Sequence, residues 1–194
     1  PGGVEDVELD QLLRILLARV EDVLDERARW ELLLEAVVAM AADLSLDQLL
    51  GKIVEIAGRL VGACYAALGV LDPSDMRRLR SFVHSGIGAE EASRIGALPT
   101  GHGLLGLIID RPEPLRLHEI AEHPASYGFP EHHPPMHSFL GVPVRAGSQV
   151  FGNLYLTEKQ GDGDFTEQDE HIVVSLAAAA GVAIENVLLN GQAI

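Results

Sequence analysis

His132-His133-Pro134-Pro135-Met136-His137-Ser138-Phe139-Leu140-Gly141-Val142-Pro143-Val144, and the stretch the chain returns to, Phe151-Gly152-Asn153-Leu154-Tyr155-Leu156, decide the reading of this sequence. The apolar residues from Phe139 to Val144 and from Val150 to Leu156 read as two strands. Ala146-Gly147-Ser148 between them supplies turn chemistry, so the pair is a hairpin. With Arg145 opposite Gln149, the antiparallel register sets Tyr155 opposite Phe139. His133 stands six residues before Phe139 in a stiff Pro-Pro loop. A ring nitrogen and a phenol then converge on one cavity beside the sheet, and that convergence is the functional lead.

Working outward, Asp162-Gly163-Asp164 turns the chain after the hairpin. Thr166 caps a closing helix with Asp169 at its third position, and that helix carries Ile172, Val173, Leu176, Ala180, Ala183 and Val187. Before the hairpin, His118 to His137 is a long irregular stretch with four prolines and five of the eight histidines. Such a loop in a compact domain is usually functional. Leu115-Arg116-Leu117 is a short strand, and Leu104–Asp110 and Ala89–Ile95 are short helices. Leu79–His84 and Ala63–Leu71 are strands joined by the turn Asp72-Pro73-Ser74-Asp75. Ser45 and Gln48 form a capping box for a helix that ends at Gly62. From Leu13 to Ala41 the apolar positions are spaced alternately by 3 and 4, as in a coiled-coil seam, with an interruption at Arg27. An amphipathic helix packed on its own domain reads the same way, and Leu12, Leu17, Leu24 and Leu33 widen the apolar face toward a helical bundle.

This order predicts an α+β fold with a mainly antiparallel central sheet and the N- and C-terminal helices packed on one face. The expected divisions are an N-terminal helical extension over 1–43, a main domain over 44–190 and a tail over 191–194. The first and last helices have apolar surface enough to recruit a second copy, so a homodimer is expected. The composition has 14 Lys plus Arg against 29 Asp plus Glu, a net charge of −15, with no basic cluster. Nucleic acid and an anionic membrane are poor partners for such a chain. Hydrophobic residues at 47% argue for a packed core. Cys64, the one cysteine, lies among apolar residues and reads as a buried small side chain; a disulfide framework is excluded by count. With no signal peptide and no apolar run near 20 residues, the chain reads as cytoplasmic.

Phe139-Leu140-Gly141-Val142-Pro143-Val144, the Phe151–Leu156 strand and the helix after Phe165-Thr166-Glu167-Gln168-Asp169 resemble a GAF domain. The runs Pro114-Leu115-Arg116-Leu117, His123-Pro124-Ala125-Ser126, Gly128-Phe129-Pro130 and His133-Pro134-Pro135-Met136 are similar to the first GAF domain of dormancy-regulating sensor histidine kinases, the DevS/DosT type. That resemblance covers roughly Leu44 to Leu189 and implies a domain that binds haem b (iron protoporphyrin IX). It implies His133 as the proximal iron ligand and Tyr155 as the distal residue that hydrogen-bonds bound gas. Phe82 matches a phenylalanine near the haem, and Gly69 matches a position where family members carry either glycine or a glutamate that obstructs gas access. Leu105, Ile109, Met136 and Phe139 are candidates to line the apolar slot a haem needs. In the family, bound O2 silences the kinase, whereas the deoxy, NO or CO forms allow phosphotransfer to a response regulator.

From the residues alone, His132 and His123 rival His133, and Tyr155 reads equally as a strand tyrosine with a satisfied hydroxyl. His84, His102, His118, His137 and His171 read as structural or surface residues. The expected function is a haem-based sensor of O2, CO or NO, the non-catalytic input domain of a histidine kinase. Its alternatives are a haem redox sensor and a haem-free GAF module that only transmits strain between helices. Weaker readings are a cyclic-nucleotide or bilin domain and a metal hydrolase, for which no His-x-x-x-His pair on a helix is present.

Overall fold

The computed structural model describes residues 45–95, 103–126, 128–129, 131–161 and 163–190. The seam from Leu13 to Ala41, the whole 1–43 extension, His102 and the 191–194 tail lie outside the described residues. Helix α1 (Leu46–Val61) starts at Ser45, whose hydroxyl accepts from the Gln48 N–H while the Gln48 side chain accepts from the Ser45 N–H. Both ends of the expected capping box are therefore made, and two otherwise unpaired helix donors are satisfied. Gly62 ends the helix at φ 60°, ψ 45°, a left-handed cap that a side chain would strain. Strands β1 (Ala63–Asp72) and β2 (Asp75–Ser85) follow, joined by a turn in which the Asp72 carboxylate accepts from the Ser74 N–H and hydroxyl.

Helices α2 (Ala89–Ile95) and α3 (Gly103–Asp110), strand β3 (Leu115–Leu117) and one 3-10 turn (Ile120–Glu122) lead into the hairpin. Its strands are β4 (Phe139–Ala146) and β5 (Gln149–Lys159), and helix α4 (Glu167–Asn190) closes the domain. The five strands form one sheet in the order β2-β1-β5-β4-β3, with each described neighbour pair antiparallel. The α+β class with an antiparallel central sheet is as the sequence predicts, while the first of the two helices expected on one face lies outside the described residues.

The sheet separates two packing layers. Leu68, Leu154 and Val142 form one cross-strand row and Ala66, Leu156 and Leu140 the next, all buried. Helices α1 and α4 cover this side with Leu50, Ile53, Val54 and Ala57, and with Val173, Leu176, Ala177 and Ala180. Gly181 lets α4 press against β4, because a Cβ there would overlap the Arg145 carbonyl. The opposite face of the sheet carries α3 and the long loop.

Three expectations are corrected. The hairpin register differs from Arg145 opposite Gln149: Ala146 pairs with Gln149, Arg145 with Val150, and Gly141, not Phe139, stands opposite Tyr155. A two-residue turn with Gly147 at φ 57° shifts the pairing by one, and a bulge after Val144 shifts it by one more. Because the two shifts restore the original parity, Tyr155 and Phe139 still share a face, with ring centroids 6.3 Å apart. Cys64 is exposed rather than buried. The β1–β2 ladder begins at Ala66 opposite Ser85, so Cys64 lies beyond the reach of β2, although Ala63 and Tyr65 on either side of it pair with β5. Finally, α4 contains an apolar run, Glu167–Leu188, of 22 residues with a window mean hydropathy of 1.7, enough by length and composition to cross a membrane. In the fold one side of that helix is buried on the sheet, which accounts for much of its apolar content.

Candidate functional site

The site is built on the face of the sheet that α3 and the long loop cover. Opposed residues on antiparallel strands point the same way, so the register assembles the face row by row. One row holds His84, Ala67, Tyr155, Gly141 and Leu115, with His84 at its exposed end; the row beside it holds Phe82, Gly69, Asn153 and Pro143. Tyr155 thus stands between two small residues, Ala67 and Gly141. At Gly141 an added Cβ would overlap Ile108 and come within 2.8 Å of the Phe139 ring, because α3 sets Ile108 down on the sheet there. Leu104, Ile108, Ile120, Met136, Phe139 and Tyr155 form a buried cluster. Half-buried apolar side chains adjoin it, among them Phe82, Leu105, Leu115 and Leu117.

The polar chemistry in this face is unusual for a core. Tyr155 is 5% exposed and Asn153 0% exposed. Among the described residues, neither the Tyr155 hydroxyl nor either amide atom of Asn153 has a hydrogen-bond partner. Burial pushes the Tyr155 phenol well above its ordinary range, against a smaller opposing effect of the nearby Asn153 amide, so it stays a neutral O–H donor. Each unpaired buried polar group costs on the order of 1–3 kcal/mol. Sequence reasoning missed Asn153. Its signal was available: an amide two residues before Tyr155, on the same strand face, inside a run otherwise read as buried.

The histidine loop is tied down after His133. Met136 is buried and its sulfur accepts from the Thr157 hydroxyl at 3.0 Å. The Ile120 N–H donates to the His137 carbonyl, the His137 N–H to the Glu158 carboxylate, and the Lys159 N–H to the Ser138 hydroxyl. Glu158 holds φ 58° to make this corner, a conformation that costs a non-glycine residue roughly 1–2 kcal/mol. The hydrogen bond and charge of Glu119 raise the pKa of the exposed His137, and Asp164 does the same for His118. His84 and His171 are likewise on the surface.

The three rival histidines differ in what their ring nitrogens do. His132 has φ 68°, is 60% exposed and faces Glu131 at 3.9 Å. At His123, Nδ1 accepts from the Ala125 N–H at 3.1 Å, so the neutral ring carries its proton on Nε2 and offers no second lone pair. His133 is half-buried and stacked on Phe129 with ring centroids 4.7 Å apart. Its Nδ1 lies 2.8 Å from the Pro134 carbonyl, which can only accept. The neutral ring is therefore protonated at Nδ1 and keeps its Nε2 lone pair, the arrangement found in oriented metal-binding histidines.

Of the residues singled out from sequence, the structure brings Met136, Phe139, Tyr155, Phe82 and Leu105 together, and sets His133 on the loop that leads to Met136. Ile109 is half-buried and not part of this cluster, the sheet-facing place being taken by Ile108. Gly69 is buried, and a Cβ there would meet Leu79 at 3.0 Å and Phe82 at 3.5 Å. Among the described residues no three His, Cys, Asp or Glu side chains gather as a protein-only metal site.

A family model described as GAF domain matches residues 43–185. The fold is similar to that of the GAF domain of a phosphoenolpyruvate-protein phosphotransferase from Coxiella burnetii, with 24% identity, a TM-score of 0.72, and coverage of 84% of this chain and 96% of that one. Free methionine-R-sulfoxide reductase from Neisseria meningitidis, solved in complex with its substrate, matches with 16% identity, a TM-score of 0.66, and coverage of 86% and 92%. The GAF domain of a protein described as a sensor histidine kinase from Pseudomonas syringae pv. tomato matches with 17% identity, a TM-score of 0.62, and coverage of 90% and 96%. The same fold thus serves sensor proteins and an enzyme.

Proposed function

The chain belongs to the GAF domain family, and we propose that it is the haem b-binding input domain of a two-component sensor histidine kinase, tuned by O2, CO or NO. The family is one of regulatory domains, which supports a signalling role without catalysis. The observation that carries the haem reading is the buried, unpartnered phenol of Tyr155 on the sheet face beneath α3 and the long loop, behind a rim of half-buried apolar side chains. A phenol in that setting waits for an acceptor that the protein itself does not supply.

The residues present fit a haem. His133 would hold its iron, with the Pro134 carbonyl fixing the tautomer that leaves Nε2 available. Phe82, Leu105, Met136 and Phe139 would hold the apolar macrocycle, and Gly69 would lie on the route of gas entry. A bound haem would supply an iron able to take up a diatomic gas. Tyr155 would donate a hydrogen bond to such a gas. A polarised O2 gains more from the donor than CO does, so the phenol separates the two. The proposal includes a homodimer through the last helix, whose Val174 and Val182 are exposed, and a response regulator as the kinase's target.

A visible spectrum after haem reconstitution tests the reading. The expected result is a strong Soret band of a histidine-ligated, five-coordinate ferrous haem. His133→Gly should lose the haem or retain it only with added imidazole. A Soret band absent from the wild-type protein sinks the haem reading, and an unchanged spectrum in the variant moves the ligand role to another residue.

A further inference from the structure

Asn153 is not accounted for by the haem reading. It lies two residues from Tyr155 on β5, on the same face, at a separation of about 6.6 Å along the strand. Its cross-strand neighbours are Gly69 on β1 and Pro143 on β4, which bring no polar side chain to the amide. Both amide atoms are buried and unpartnered, and the next polar group on that strand face is the Tyr155 hydroxyl, also unpartnered. Two orphaned groups side by side at the centre of an apolar face form a unit that a ligand can complete. A phenol oxygen accepts hydrogen bonds while its own hydrogen is donated elsewhere.

Building on the haem reading above, we propose that Asn153 is a positioning residue: its amide N–H donates to the Tyr155 oxygen when a gas occupies the site, and so turns the phenolic hydrogen toward that gas. Donation into the oxygen also strengthens the hydrogen bond that the hydroxyl donates, because linked hydrogen bonds polarise one another. Asn153 touches neither haem nor gas in this arrangement. It sets how well Tyr155 discriminates O2 from CO.

The test is a double-mutant cycle on the haem-loaded protein, with Asn153→Leu, Tyr155→Phe and the pair. Asn153→Leu is expected to raise the O2 dissociation rate about three- to tenfold and to leave the CO rate within about twofold. In the Tyr155→Phe background it is expected to change the O2 rate by less than about twofold. The C–O stretch of the CO complex should move with Asn153→Leu in wild type and stay put in the Tyr155→Phe background. Thermal unfolding of the haem-free proteins gives a separate readout, in which Asn153→Leu should melt at or above wild type, since it removes a buried unpaired amide. If leucine prevents folding, Asn153→Ala is read in the same way. Equal effects of the substitution in both backgrounds overturn the proposal, as does an unchanged O2 rate in the single variant. Wild-type protein with no Soret band overturns the haem reading and this inference together, whereas a normal Soret band with additive shifts overturns the inference alone.

Discussion

Tyr155 is where a single atom separates structure from function. Its hydroxyl has no partner among the described residues, so in the haem-free protein it contributes nothing to stability and costs its own desolvation. Tyr155→Phe should therefore leave the haem-free unfolding free energy unchanged or raise it by about 1 kcal/mol, as read by urea denaturation. In the loaded protein the same change removes a hydrogen bond to a polarised ligand, worth roughly 1.5–3 kcal/mol. The O2 dissociation rate should rise by about one to two decades while the CO rate barely moves. Stopped-flow measurement of both gases decides this, and equal shifts for the two would mean that the ring acts only by its bulk. Gly141 sits opposite, and its missing side chain is what allows Ile108 and the Phe139 ring to close over that row.

At the scale of elements, the start of α4 is where the two layers of the fold are fastened. Thr166 and Asp169 make a reciprocal capping box at 2.8 and 3.1 Å, and Asp169 also receives the Lys159 ammonium at 2.8 Å. Lys159 donates onward to the Val61 carbonyl at the end of α1. On the sheet edge, Arg116 of β3 pairs with Glu170 at 2.5 Å and donates to the Phe165 carbonyl. Leu115 and Leu117 on the same short strand pack toward the site, so β3 touches the pocket with one face and α4 with the other. Burial pushes the Asp169 carboxyl up, but the hydrogen bonds from Lys159 and Thr166 outweigh it and hold its pKa below the ordinary range. A depressed folded-state pKa means stability that is present above the unfolded pKa, near 4, and lost as pH falls through the folded value. Asp169→Asn should cost roughly 1.5–3 kcal/mol at pH 7, where a charged acceptor is lost. The difference from wild type should shrink as pH falls below about 4 in urea titrations. A gap that stays constant across that window would assign the loss to packing instead.

For the whole molecule, the proposed dimer makes a sharp expectation. Val182 is 50% exposed and Val174 37% exposed on the outer side of α4, among residues whose other side is packed on the sheet. Val182→Glu places a charge on that surface without touching the core. Sedimentation should show a dimer for wild type and a monomer for the variant, with unchanged far-ultraviolet circular dichroism. A variant that remains a dimer would place the interface elsewhere.

The sequence by itself determined what depends on neighbours along the chain. The capping boxes at Ser45 and Thr166, the left-handed stop at Gly62 and the turn at Asp72 are local devices, whose geometry follows from a few adjacent residues. The two-period of β4 and β5 carried the class of fold, and parity alone sufficed to put Tyr155 and Phe139 on one face. Tertiary structure decided what depends on distant segments meeting. The bulge beyond Val144 belongs to the pairing of two strands, and so Gly141 rather than Phe139 faces Tyr155. The choice between Ile108 and Ile109 rests on how α3 lies against the sheet, and the exposure of Cys64 on where β2 stops pairing. Which histidine keeps a free lone pair depends on backbone atoms of Ala125 and Pro134, and those partners follow from loop geometry rather than from side-chain identity. The orphaned Asn153 amide is a property of the assembled face, because a group counts as unpartnered only once every neighbour has been put in place.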